Sequence, residues 1–208
     1  MTTLWFYQMN NQNSQSLSRF GWQAGLIYLI GALTVTSAIS ISAANADELK
    51  ETKANRINSQ LVMQVHVKLG KEEDMGKGVD GHRINYPIIG GTFTGLGMKG
   101  TVIPGGADMS VERSDGVTLI EALYRLKTDD GQIIIIHNPG IWRPNAQGLA
   151  KLAKGVDLAE SDYYCRTSPT FKTQLGNYAW LSDYVFVGTI DDVSQNEVLI
   201  GIYRVDGI

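Results

Sequence analysis

The sequence predicts an all-β protein: a closed antiparallel barrel of about eight strands with one short helix, preceded by an N-terminal signal sequence. Three observations predict it. First, the stretch Ile88 to Ser110 (IIGGTFTGLGMKGTVIPGGADMS) sets seven glycines among β-branched and apolar residues. A helix would lose roughly 1 kcal/mol per glycine relative to alanine, whereas strands use glycine at bulges, kinks and close backbone approaches. Second, the turns Ser114-Asp115-Gly116 and Asp129-Asp130-Gly131 each stand between strand-like runs, and Asp-Gly in that setting is a strong hairpin signal. Third, Arg19 is the only charged side chain before Asp47, and it precedes an apolar run, Ala24 to Val35, and the small-residue ending Ala44-Asn45-Ala46.

That order of basic flank, apolar core and A-x-A is the grammar of a secretory leader. Residues 1–46 are therefore read as a signal peptide, Asp47 as the mature start, and the protein as exported, to the periplasm. An uncleaved anchor is the rival, but the run is diluted by Thr and Ser from Thr34 and falls short of the ~20 residues a span prefers. After Asp47 the chain is mildly acidic and holds no block of Lys or Arg. Nucleic-acid binding gets little support from that composition, and neither does docking on anionic lipid. The single cysteine, Cys165, allows no disulfide within the chain, so stability must come from packing. Next to Tyr163-Tyr164 it reads as buried filler rather than a reactive thiol.

Residues 47–60 form a polar linker, and the barrel domain is assigned to 61–208. Leu61 to Leu69 alternates as a half-buried strand does: Leu61, Met63, Val65, Val67 and Leu69 share one face, with Val62 an apolar exception on the other. Gly70 to Gly81 reads as a charged loop. The glycine-rich stretch then gives two strands joined around Gly95-Leu96-Gly97, ending in a corner at Pro104-Gly105-Gly106. Asp108 to Arg113, Val117 to Thr128 and Gln132 to Asn138 follow as a meander across the Asp-Gly turns. Pro144 opens the helix, Leu149, Leu152 and Ala153 share its inner face, and Gly155 caps it. Three strands close the chain: Tyr163 to Lys172, Tyr178 to Asp191 and Glu197 to Val205.

Such strands can be buried in a barrel or a two-sheet sandwich. Ordered hairpins and glycine-proline corners favour a barrel, lipocalin-like in shape, which also removes exposed edges. Its interior would be just wide enough for side chains or one small ligand. An outer-membrane barrel would need an apolar outside, and strands with charge on one face argue against that.

The motifs Pro87-Ile88-Ile89-Gly90-Gly91-Thr92-Phe93, Gly100 to Asp108 (GTVIPGGAD), Thr128-Asp129-Asp130-Gly131, Tyr164-Cys165-Arg166-Thr167 and Tyr178-Ala179-Trp180-Leu181 run collinearly along the chain. On these motifs the sequence from Leu61 onward resembles the family called domain of unknown function 3237, also grouped in the UPF series. The resemblance implies a small closed β-barrel with a central cavity and no agreed activity. The chain departs from that family's pattern at Met109, where Trp is common, and at Cys165, where Phe is. It also carries Pro139 and Trp142 where Arg is frequent, and it adds the leader.

Arg166 is the first candidate binding residue. A guanidinium inside a barrel needs a partner, either Asp108 or Glu121 as a structural pair or the anionic end of a ligand. Trp180, Tyr124, Tyr164 and Tyr184 are the candidate aromatic lining. Tyr178, Trp180, Ser182, Tyr184 and Phe186 would form a stripe along one strand face. His137, Asp108 and Glu121 are the candidate proton-transfer groups. Parity nevertheless puts Glu121 with Arg125 and Lys127, opposite Ile120, Ala122, Tyr124 and Leu126. The three histidines, His66, His82 and His137, do not stand at metal-ligand spacing, and no cofactor motif is present. The first reading is a barrel that binds a small apolar or aromatic molecule with an anionic end. The alternatives are a cofactor-free isomerase, cyclase or lyase, and a structural or homo-oligomerising domain with a filled interior.

Overall fold

The computed structural model describes residues 51–194 and 196–206, so the signal peptide expected at residues 1–46 lies outside the described residues. A short 3-10 turn at Lys53–Asn55 leads into ten strands and one helix. The strands are β1 (Asn58–Leu69), β2 (Glu73–Gly78), β3 (Gly81–Gly95), β4 (Met98–Glu112), β5 (Thr118–Thr128), β6 (Ile133–Pro144), β7 (Tyr163–Thr167), β8 (Thr170–Lys172), β9 (Val185–Ser194) and β10 (Glu197–Asp206). The helix, α1, spans Ala146–Leu152. Every pairing is antiparallel, in the order β1-β10-β9-β7-β6-β5-β4-β3, and β3 returns to β1 to close the ring. The result is the all-β, eight-stranded closed barrel with one helix. β2 flanks the first half of β3, and β8 takes up pairing with β6 where β7 leaves off.

β5 shows why the ring has a dry inside. Thr118, Ile120, Ala122, Tyr124, Leu126 and Thr128 are buried, and every residue between them is exposed. Val65 and Val67 of β1, Tyr86 of β3, Ile134 and Ile136 of β6, Phe186 of β9 and Ile202 of β10 complete the core. A register shift between Leu61 and Met63 turns both Val62 and Met63 inward, which accounts for the apolar exception in the β1 pattern. Gly91 is obligatory where β3 crosses β1: its φ is +137°, and a Cβ there would stand 2.0 Å from the His66 carbonyl oxygen.

Several expectations are corrected. The segment expected as a charged loop at Gly70 to Gly81 contains β2, whose exposed residues carry no apolar period. Pro104-Gly105-Gly106 does not end a strand. β4 runs through it with a register shift between Ile103 and Ala107, so the glycines bend one long strand instead of separating two. Pro144 is the last residue of β6, and the next residue, Asn145, caps the helix, its side chain accepting a hydrogen bond from the Gly148 amide. Leu149 is exposed, and only Leu152 of the expected helix face is buried in the core. Lys151 of α1 bonds the buried Asp162 at 2.6 Å, tying the helix to the start of β7.

The largest correction concerns Tyr178 to Tyr184. This stretch is not strand: Ala179–Ser182 is a 3-10 turn and β9 begins only at Val185. Leu181 plugs the core there, and the Tyr178 hydroxyl donates to Asp130 at 3.2 Å, so the segment caps the barrel end that holds the β3–β4 and β5–β6 turns. At the opposite end, beyond the last residues of β1 and β6, sit α1 and the β9–β10 turn.

The ring is unevenly laced. β5 and β6 match over ten residue pairs, from Thr118↔Trp142 to Lys127↔Ile133, whereas β7 and β9 meet at one, Thr167↔Gly188. Thr167 fits because its neighbours on both sides are glycines; a Cβ on Gly188 would lie 2.1 Å from the Thr167 Oγ1. Beyond that pair, towards the helix end, β7 and β9 are not matched.

Candidate functional site

One face of each strand points inward, and on four successive strands a single row crosses the interior. Tyr86 of β3 faces Asp108 of β4, Asp108 faces Ala122 of β5, and Ala122 faces Asn138 of β6. Ala122 is the one small side chain in the row, so it leaves space between a carboxyl and a carboxamide. Below it, Asp108, Ile120, Ala122 and Tyr124 meet Val67, Ile88, Ile190 and Ile200 around a cavity of about 30 Å³. That is room for a water molecule or two.

Asp108 is the polar group on this apolar wall, 9 % exposed. Its Oδ1 accepts from the Ser110 hydroxyl at 3.0 Å and from the Glu121 backbone N–H at 2.9 Å. Burial pushes the carboxyl up to about 6, against the opposing pull of those two donors. Tyr124, 1 % exposed, lines the same cavity, and its hydroxyl has no partner among the described residues. Burial and the Asp108 charge raise it, so it stays a protonated donor. Asn138 is fully buried, and among the described residues neither its Oδ1 nor its Nδ2 is bonded. Unbonded buried groups of this kind cost stability, on the order of 1–3 kcal/mol each.

A second inward carboxyl, Asp192, stands on β9 beside the β7–β9 gap. Both its oxygens are buried and unbonded among the described residues, and burial and the Asp191 charge push it up to about 6. Cys165 lies near it, its thiol pushed up to about 12 by burial and the Asp192 charge, which makes it inert.

The remaining sequence candidates lie elsewhere. Arg166 is on the outer face, because Cys165 and Thr167 are the inward residues of β7. Its Nη1 donates to the Cys165 carbonyl at 2.6 Å, and it sits 5.7 Å from the Tyr164 ring, also outside. The expected Arg166 pair with Asp108 or Glu121 does not form. Glu121 and His137 are outside too and bond one another. Tyr184 is exposed beneath the Arg204 guanidinium, and Trp180 packs on Tyr184 and Phe186 at the capped end. Of the eight residues proposed from sequence, the structure brings Asp108 and Tyr124 together. It adds Asn138, Asp192 and Tyr86. Asn138 was within reach of the sequence: the Asp129-Asp130-Gly131 turn folds the chain about Asp130, so Ala122 and Asn138, each eight residues away, must face one another. Four isoleucines in a row hid which of His137 and Asn138 turns inward.

Among the described residues no group of three or more His, Cys, Asp or Glu gathers as a metal site. No described helix is long and apolar enough to cross a membrane. A surface cleft of about 360 Å³ at the helix end is lined by Lys77, His82, Glu112 and Arg113. Two of these side chains are engaged locally, His82 with Asp74 at 2.7 Å and Arg113 with Asp115 at 2.5 Å.

Fold and interior together define a small closed antiparallel barrel whose largely apolar interior holds two buried carboxyls, Asp108 and Asp192. The family model described as "Protein of unknown function (DUF3237)" matches residues 57–205, and the chain belongs to that family. It is 35 % identical over 149 residues to a UPF0311 protein of Rhodopseudomonas palustris, covering 72 % of this chain and 97 % of that one. A UPF0311 protein of Clostridium acetobutylicum is 31 % identical over 155 residues, covering 74 % and 98 %. Among solved structures, a β-barrel-like protein of Acinetobacter baumannii superposes with a TM-score of 0.65 at 31 % identity, covering 73 % of this chain and 97 % of that one. An enzyme from Penicillium herquei superposes with a TM-score of 0.56 at 18 % identity, covering 76 % and 100 %, a likeness of fold alone.

Proposed function

We propose that this protein is a cofactor-free enzyme of isomerase, cyclase or lyase type that moves a proton on a small, neutral, largely apolar substrate inside the barrel. Asp108 is the proton-transfer group. The observation that carries the reading is its setting: a buried carboxyl on the wall of an apolar cavity, its Oδ1 held by the Ser110 hydroxyl and the Glu121 amide. A carboxyl pushed up to about 6 is populated in both protonation states near neutrality, so it can take a proton and return it.

The binding reading, a ligand with an anionic end, loses its support. Its anchor Arg166 is outside, no cation lines the cavity, and Asp108 on the wall would repel an anion. The cavity holds only about 30 Å³, so a substrate must displace side chains or part the wall. The wall gives most readily at the β7–β9 gap, held by one residue pair. The order of Arg19, the apolar run and Ala44-Asn45-Ala46 supports placing this activity in the periplasm.

The test is deuterium incorporation from heavy water into a mixed panel of neutral apolar small molecules, followed by mass spectrometry. Wild-type protein should label one class of compound at a rate that rises through about pH 6. Folded Asp108→Asn should not. Labelling by the variant at the wild-type rate, or none by either protein, overturns the proposal.

A further inference from the structure

We infer that the site is built to enolise a carbonyl compound, with Tyr124 and Asn138 as the donors that hold the carbonyl oxygen while Asp108 works at the adjacent carbon. This deepens the proton-transfer reading and rests on it. Tyr124 lines the Asp108 cavity with a hydroxyl unbonded among the described residues, two residues along the same face of β5 from Ala122, the register partner of Asp108. Diagonal neighbours of this kind are within reach of an aromatic side chain. Asn138 stands one strand beyond Ala122, fully buried and unbonded among the described residues, and the orientation of its amide that turns Nδ2 over Ala122 offers a donor to the oxygen of a ligand. Asp108 and Asn138 are two strand spacings apart, roughly 9–10 Å between backbones. With both side chains leaning inward over Ala122, the gap suits a C–C=O unit hydrogen-bonded at its oxygen and approached at its α-carbon.

In the step itself the Asp108 carboxylate takes the α-proton. The C–H pair becomes a C=C bond, and the carbonyl π pair moves onto oxygen, where the Tyr124 O–H and Asn138 N–H stabilise the enolate. Asp108, whose proton exchanges with solvent while the enolate is held, then delivers a proton to another carbon of the conjugated system. The net change is a shifted double bond, with no electrons gained or lost and no co-reactant. Neutral donors suit this step because an apolar cavity without a cation cannot hold the charge otherwise. The substrate class is a compact apolar enone, with its C=C bond next to or one carbon removed from the carbonyl.

The experiment uses 4-nitrophenol as a mimic of the enolate, titrated by absorbance into wild type, Asp108→Asn, Tyr124→Phe and Asn138→Leu, each checked for folding by circular dichroism. Replacing the carboxylate by a neutral amide should tighten phenolate binding at least about tenfold, and losing either donor should weaken it about five- to tenfold. Tyr124→Phe and Asn138→Leu binding as wild type does, or no binding by any of the four, overturns the inference. Deuterium exchange separates the two claims. If Asp108→Asn abolishes exchange while Tyr124→Phe retains full kcat, the proton-transfer reading stands and the enolisation reading falls. If Asp108→Asn still exchanges, the proton-transfer reading falls first.

Discussion

Replacing Asp108 by Asn should stabilise the protein at high pH and leave it nearly unchanged at low pH. The native carboxyl titrates near 6, against an ordinary value of 3.8. Because the folded state binds the proton more tightly than the unfolded chain, wild-type stability from this group is full below about pH 4 and is lost as pH rises through about 6. At roughly 1.4 kcal/mol per pH unit the loss is about 3 kcal/mol. Asparagine keeps an Oδ1 for Ser110 and the Glu121 amide, but its NH₂ faces an apolar wall and gives back about 1 kcal/mol. The expected difference, Asp108→Asn minus wild type, is therefore about 2 kcal/mol at pH 8 and zero or slightly negative at pH 4. Urea unfolding at pH 4, 6 and 8 measures it, and taking the difference cancels Asp192, which titrates in the same window. A difference that stays flat from pH 4 to 8 would refute the reasoning, because it would mean that the carboxyl is solvated and has no special chemistry.

Three further outcomes follow from the same interior. Asn138→Leu, which removes an unbonded buried amide at similar volume, should raise stability by about 1–2 kcal/mol in urea, and a loss of similar size would show that the amide is bonded. Gly188→Ala forces a Cβ against the Thr167 Oγ1 and should cost about 1–3 kcal/mol. Adding Thr167→Ala should recover most of that cost, and a double-mutant cycle without coupling would sink the account of the pair. Arg166→Gln should shift stability by less than about 0.5 kcal/mol and leave 4-nitrophenol binding unchanged, since the side chain is outside; a binding loss above threefold would put it back in the site.

Where the sequence carried a clean period, it could be read. β5 alternates without a fault, and the Asp-Gly turn on either side of it fixes the registers of β4, β5 and β6, so the shared inward face of Asp108 and Tyr124 follows from the chain itself. Elsewhere the physical cue was absent or false. β2 is polar throughout and earns its strand geometry from pairing with β3, a tertiary effect that composition does not encode. The spacing of Tyr178, Trp180, Tyr184 and Phe186 imitates a strand face, yet the chain there turns to cap the barrel, and the rings answer to that plug. In Tyr164-Cys165-Arg166-Thr167 neither parity is plainly apolar. What decides it is the fit of Thr167 between Gly140 and Gly188, two glycines far away in sequence.

The lone thiol of the chain sits on β7, just where the wall is stitched to its neighbour by a single pair. While the ring is shut, Cys165 is hidden and protonated; each time that stitch slips, it meets solvent. The molecule thus carries its own gauge of breathing, and the rate at which a thiol reagent marks Cys165 counts how often the barrel opens its side to whatever it admits.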